Sequence, residues 1–106
     1  RLRGGDHNVR GLVESDADAR MTNVSGDTEE VLGYDREYLV GRPLAEVFPV
    51  LRDAAETKNV RAGTYELKDT VLMLRDGEER RVESCIVPQF KEGIFAGYRI
   101  FSVPKR

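Results

Sequence analysis

Residues 75–103, RDGEERRVESCIVPQFKEGIFAGYRIFSV, decide the fold. Asp76-Gly77 is a two-residue hairpin signal, since both residue types tolerate the positive φ that such turns need. It is preceded by the apolar run Val71-Leu72-Met73-Leu74 and followed by Glu79 to Val87, where apolar and polar residues alternate with the period of a strand. Pro88 has no backbone N–H to give to a ladder, so it is expected to end that strand. Glu92-Gly93 marks a second turn, and Gly97 to Val103 reads as a last strand with Tyr98, Arg99, Ile100, Phe101 and Ser102 alternating about it. The C-terminal part of the chain is therefore expected to be three antiparallel strands.

Upstream the pattern changes. Gly11 to Ser15 and Arg20 to Val24 are extended stretches around the turn-formers Asp16-Ala17-Asp18-Ala19, which predicts a first hairpin. Ser25 is placed to cap a helix, with Asp27, Glu29 and Glu30 in the first turn, where the helix dipole favours negative charge, and Gly33 ends it. Asp35 is expected to cap a shorter turn with Tyr38 and Leu39 facing inward, ending at Gly41. Pro43 opens another short helix through Leu44, Val47 and Phe48, and Pro49 closes it. The longest helix is expected over Val50 to Asn59, with a thin apolar stripe of Leu51, Ala54 and Ala55 and a stop at Gly63. Helices this short do not persist alone and need a sheet beneath them.

The chain has 106 residues and 40% hydrophobic content, enough for one core. This predicts a single domain over residues 11–106, with residues 1–10 as a flexible lead-in or connector. The start at Arg1 is read as that of a piece cut from a longer protein. The 17 basic and 19 acidic side chains leave a net charge of -2, which provides no field to recruit nucleic acid or an anionic membrane. Cys85 is the single cysteine, so no internal disulfide can form, and no apolar run approaches a membrane span or signal-peptide core. A reducing, cytoplasmic setting follows as the expectation. No nucleophile and base pair, carboxylate cleft, phosphate loop or metal-ligand spacing stands out, so no catalytic residue and no metal are assigned.

Two blocks of the sequence together resemble the PAS domain family. One is GLVESDADARMTNVSGDTEEVLGYDREYLVGRPLAEVFP at residues 11–49, with its strand, acidic turn, strand, Leu-Gly-Tyr helix end, Leu-Val-Gly-Arg-Pro stop and Val-Phe-Pro. The other is the stretch at 75–103. The resemblance covers residues 11–103 and implies an α+β fold: a five-stranded antiparallel sheet in strand order 2-1-5-4-3, with short helices packed on one face. Ser25 stands where the family often has Asn, a change that keeps a capping oxygen. The resemblance also implies a sensory or interaction module of a larger signalling protein, whose output part could be a histidine kinase, nucleotide cyclase, chemoreceptor or transcription regulator. Photoadduct flavin is disfavoured because Leu44 stands where the reactive thiol would be, in Gly41-Arg42-Pro43-Leu44-Ala45-Glu46-Val47. Haem is disfavoured because the single histidine, His7, lies in the lead-in segment.

The family's strand parity, carried over, turns Val13, Ser15, Leu72, Val82, Ser84, Ile86, Tyr98, Ile100 and Ser102 toward the helices. This mostly apolar set with a few hydroxyls suits a pocket for a small organic ligand, and equally a filled core whose hydroxyls are bonded internally. The opposite parity puts Val71, Met73, Cys85, Val87, Phe101 and Val103 on the far face. There they form an apolar patch that marks a homodimer interface or a seat for flanking signalling helices, unless the first ten residues fold over it. Two readings stand: a ligand-sensing PAS module relaying through its sheet face, and a ligand-free PAS domain that dimerises or relays.

Overall fold

The structure is a computed structural model that describes residues 10–73 and 77–105, excepting the side chains of residues 68, 69 and 73. The expectations for the lead-in before Arg10, for His7, Leu74 and Asp76, and for the Met73 side chain lie outside the described residues.

β1 (Gly11–Ser15) and β2 (Met21–Val24) form the first hairpin. Its turn is organised by Asp16, whose Oδ1 accepts from the backbone of Asp18 at 2.9 Å and Arg20 at 3.1 Å. Next come α1 (Gly26–Leu32), α2 (Arg36–Leu39), 3-10 turns at Leu44–Glu46 and Pro49–Arg52, and α3 (Ala54–Ala62). β3 (Tyr65–Met73), β4 (Glu79–Lys91) and β5 (Ile94–Pro104) complete one antiparallel five-stranded sheet in the order β2-β1-β5-β4-β3, the order the resemblance implies. The core lies between the sheet and the helices. It gathers Val13, Val82, Ile86, Tyr98 and Ile100 from the strands with Val31, Leu32, Leu39, Leu44, Phe48 and Val60 from the other side.

Four local expectations change. Ser25 sits at the α1 N-cap, but its hydroxyl makes no capping bond; it accepts from Leu12 N at 3.2 Å and meets Thr28 Oγ1 at 3.0 Å. Thr28 Oγ1 in turn accepts from Leu12 N at 2.7 Å and donates to Leu12 O at 2.9 Å, so the two hydroxyls stitch α1 to β1. Asp35 makes no side-chain cap bond to α2 either; the acceptor there is Glu29 of α1, whose Oε2 takes the Arg36 N–H at 2.9 Å. The longest helix begins at Ala54, not Val50, because Asp53 is its cap: Oδ1 accepts from Ala55 N at 2.8 Å and Glu56 N at 3.2 Å. Pro49 opens a second 3-10 turn and does not close the first, which already ends at Glu46.

Pro88 does not end β4, which runs on to Lys91. The Tyr98 N–H opposite it points to β1, where Ser15 Oγ accepts it at 2.9 Å, so the N of Pro88 points away from β5. On that side β3 starts only at Tyr65, opposite Ile86, and no ladder bond is lost. β5 correspondingly begins at Ile94, joined to Lys91 by a two-residue turn in which Glu92 and Gly93 have φ of 52° and 81°.

Gly97 is required by close packing. Its φ is +142° and an added Cβ would lie 2.1 Å from the Ser15 carbonyl oxygen, so any side chain would push β5 off β1. The free edge of β2 is covered: Gly41 N donates to Met21 O at 2.7 Å, Met21 N to Arg42 O at 2.9 Å and Leu44 N to Ala19 O at 2.8 Å.

Candidate functional site

The sheet has two faces, and the register assigns each side chain to one of them. On the helix side, Val13, Leu72, Val82, Ser84, Ile86, Tyr98, Ile100 and Ser102 are buried and Ser15 is half-buried. Their polar atoms are engaged within the protein. Ser84 Oγ and Ser102 Oγ lie 2.7 Å apart on adjacent strands, Ser15 Oγ holds Tyr98 N, and the Tyr98 hydroxyl accepts from Arg61 Nε at 3.0 Å. Leu72 also lines a depression of about 310 Å³ with Tyr34, Glu46, Val47, Pro49, Arg52 and Val71, beside the second 3-10 turn.

On the far face the pairing sets Leu12 opposite Phe101, Phe101 opposite Cys85 and Cys85 opposite Glu66, one row across four strands. Val87 and Val103 flank that row along β4 and β5, and Val71 of β3 stands opposite Arg81. Phe101 is 41% exposed and Val71 45%, while Cys85, Val87 and Val103 are half-buried. A depression of about 240 Å³ opens here, lined by Arg10, Glu66, Glu83, Cys85, Phe101 and Val103 together with Ser84 and Ser102. Beside the row Arg99 Nη2 reaches Glu14 Oε2 at 2.9 Å. The Asn23 amide and the Arg99 guanidinium, both bonded to the Glu14 carboxylate, hold its pKa below the ordinary value.

Leu12 belongs to this patch and was missed in sequence, although the parity of Val13 in the same strand would have found it. Also missed was the way α3 is fastened. Arg61 lies with its guanidinium 4.1 Å over the Phe95 ring, and Glu56 Oε2 accepts from the Tyr65 hydroxyl at 2.6 Å. That bond to Glu56 raises the Tyr65 pKa above its ordinary value. Such pairs join residues far apart in the chain, and no local spacing announces them.

Among the described residues no group of three or more His, Cys, Asp or Glu is placed to hold a metal ion, and no helix is long and apolar enough to cross a membrane.

No protein-family model matches the chain, and no curated protein matches it. Solved structures do. The PAS domain of a protein from Colwellia psychrerythraea superposes with a TM-score of 0.77 at 20% identity, covering 94% of this chain and 89% of that one. A PAS domain from a two-component sensor histidine kinase gives 0.72 at 16% identity over 94% of this chain and 88% of that one. The light-state dimer of the fungal blue-light photoreceptor Vivid gives 0.72 at 14% identity over 96% and 81%. With the strand order, the one-sided helices and these superpositions in agreement, the chain has the PAS fold.

Proposed function

We propose that this chain is a PAS signalling module that acts through the outer face of its sheet, where a second copy docks face to face. The observation that carries this reading is the row Leu12, Phe101 and Cys85 with its neighbours Val87 and Val103: contiguous apolar side chains on a face of an antiparallel sheet that ordinarily carries polar ones. A two-fold contact suits it, because one self-complementary patch then serves both partners. The structural neighbours lend support, since one is a sensor kinase's PAS domain and another is a PAS-fold photoreceptor seen as a dimer. In this reading the inner face is a filled core. Change in a neighbouring domain is relayed by altering how the two outer faces meet. Residues 11–106 form the module, residues 1–10 connect it, catalysis belongs to whatever it is joined to, and the setting is cytoplasmic.

A second reading, a small organic ligand held on the helix side, draws on the 310 Å³ depression that reaches Leu72 and Val47. Native mass spectrometry of protein taken from cells separates the two: bound small-molecule mass supports the ligand, and bare polypeptide in dimers supports the relay.

Cys85 gives the direct test of the interface, as the chain's single cysteine and a member of the row. Its reaction with a thiol reagent is expected to slow as protein concentration rises, because docking covers it. A rate independent of concentration up to the millimolar range would rule out this face as the dimer contact.

A further inference from the structure

α1 and α3 are held to the same sheet by different means. α1 buries Thr28, Val31 and Leu32, is stitched to β1 through Thr28, and receives the Arg80 guanidinium of β4 on the carbonyls of Glu30 and Val31 at its C-terminal end. α3 buries Val60 alone. Nine residues make too short a helix to persist without packing, so its place on the sheet depends on what else fastens it. Two side-chain latches do so. Near its start Glu56 takes the hydroxyl of Tyr65 from β3. Near its end Arg61 donates to the hydroxyl of Tyr98 and stacks on Phe95, both from β5.

Both latches are polar: Arg61 is exposed and Glu56 and Tyr65 are half-buried, so water can take up these groups as each bond breaks, while Tyr98 itself is buried under the helix. The sheet ladder beneath, including the full β4–β5 pairing from Val82 to Lys91, does not depend on them. We infer that α3 is a strap: it lifts from the sheet as a unit while the five strands stay paired, and the Arg61–Tyr98–Phe95 latch sets how often it does. Lifting removes Val60 from the core and uncovers the rings of Tyr65, Phe95 and Tyr98, so the inner face becomes reachable without unfolding the domain. The strap is independent of the proposed dimer contact, which lies on the opposite face.

Hydrogen exchange read by mass spectrometry on the intact domain tests this. Amides of residues 57–62 are expected to exchange by local opening, well before the inner strands β4 and β5. Arg61→Gln should speed exchange in α3 by about ten- to a hundredfold, the range for losing a hydrogen bond to a charged group, and leave β4 and β5 unchanged. Tyr98→Phe should act in the same direction, and the two changes together should do no more than the larger one alone. If either variant fails to fold, Glu56→Gln probes the other latch at the helix start with the same readout. α3 exchanging in step with β4 and β5, or latch variants that speed all strands alike or none, would overturn the strap.

Discussion

The two faces of the sheet are built from neighbouring residues of the same strands and differ in how completely they are used. On β5, Ile100 is fully buried, and Phe101 next to it is 41% exposed. On β4, Ile86 is buried, and Cys85 and Val87 on either side of it are half-buried. The inner face meets helices and its hydroxyls find partners within the chain, whereas the outer face sets an apolar row among the charged side chains Glu14, Glu66, Arg81, Glu83 and Arg99, and no described helix covers it. A fold that needed only its own stability would place polar side chains at Phe101, Val71 and Val103. Their apolar character carries a cost in solubility, which the proposed docking on this face would offset.

The contrast can be broken most sharply at Ile100 and Phe101. Ile100→Ala should lower the unfolding free energy by about 2–5 kcal/mol, through lost burial plus the cavity it leaves. Phe101→Ala in dilute protein should lower it by no more than about 1.5 kcal/mol, because its ring is only partly removed from water. Urea titrations of the two variants measure both, and equal losses would mean that the outer face is as much core as the inner one.

The buried serine pair sharpens the account of the inner face. Ser84→Ala or Ser102→Ala should each cost about 1 kcal/mol, since either leaves the other hydroxyl without its 2.7 Å partner. The double replacement should cost less than the sum, because no buried hydroxyl is then left alone. Additive losses in the same titrations would show that the two do not act as a pair.

The smallest effect is expected at the rim of the outer face. The Glu14 carboxylate has a lowered pKa in the folded state, so its contribution is present at neutral pH and is lost as pH falls through the carboxylate range. Glu14→Gln should therefore reduce stability by at most about 1 kcal/mol at pH 7, with the difference from the parent vanishing in acid. Thermal melts across that range check the sign. A difference that grows as pH falls would contradict it.

How much of this was legible in the sequence follows from how local each signal is. The parity of β4 and β5 could be read because side chains alternate with a period of two and the turn at Glu92-Gly93 pins the register. The side of the sheet on which most of these residues lie could be read in this way, although Leu12 of the outer face was missed. Pro88 misled because its tolerance depends on β3 beginning opposite Ile86, which no stretch of β4 discloses. Ser25 and Asp35 were assigned caps that their neighbours offered, but the Ser25 hydroxyl is taken by Leu12 of β1 and the α2 cap is supplied by Glu29 of α1, competitors visible only once the elements are packed. Asp53 was the reverse case. It is a local cap hidden by an apolar pattern that made the preceding Val50 and Leu51 look helical.

The central claim is that the outer face is where this PAS-fold chain meets its partner, and Phe101 is the residue on which it turns. Sedimentation equilibrium of the parent and of Phe101→Glu over the same concentration range, with circular dichroism to confirm that both are folded, tests it most directly. A concentration-dependent dimer is expected for the parent and a folded monomer for the variant. A parent that stays monomeric at the highest concentration, or a variant that associates as strongly as the parent, would contradict it.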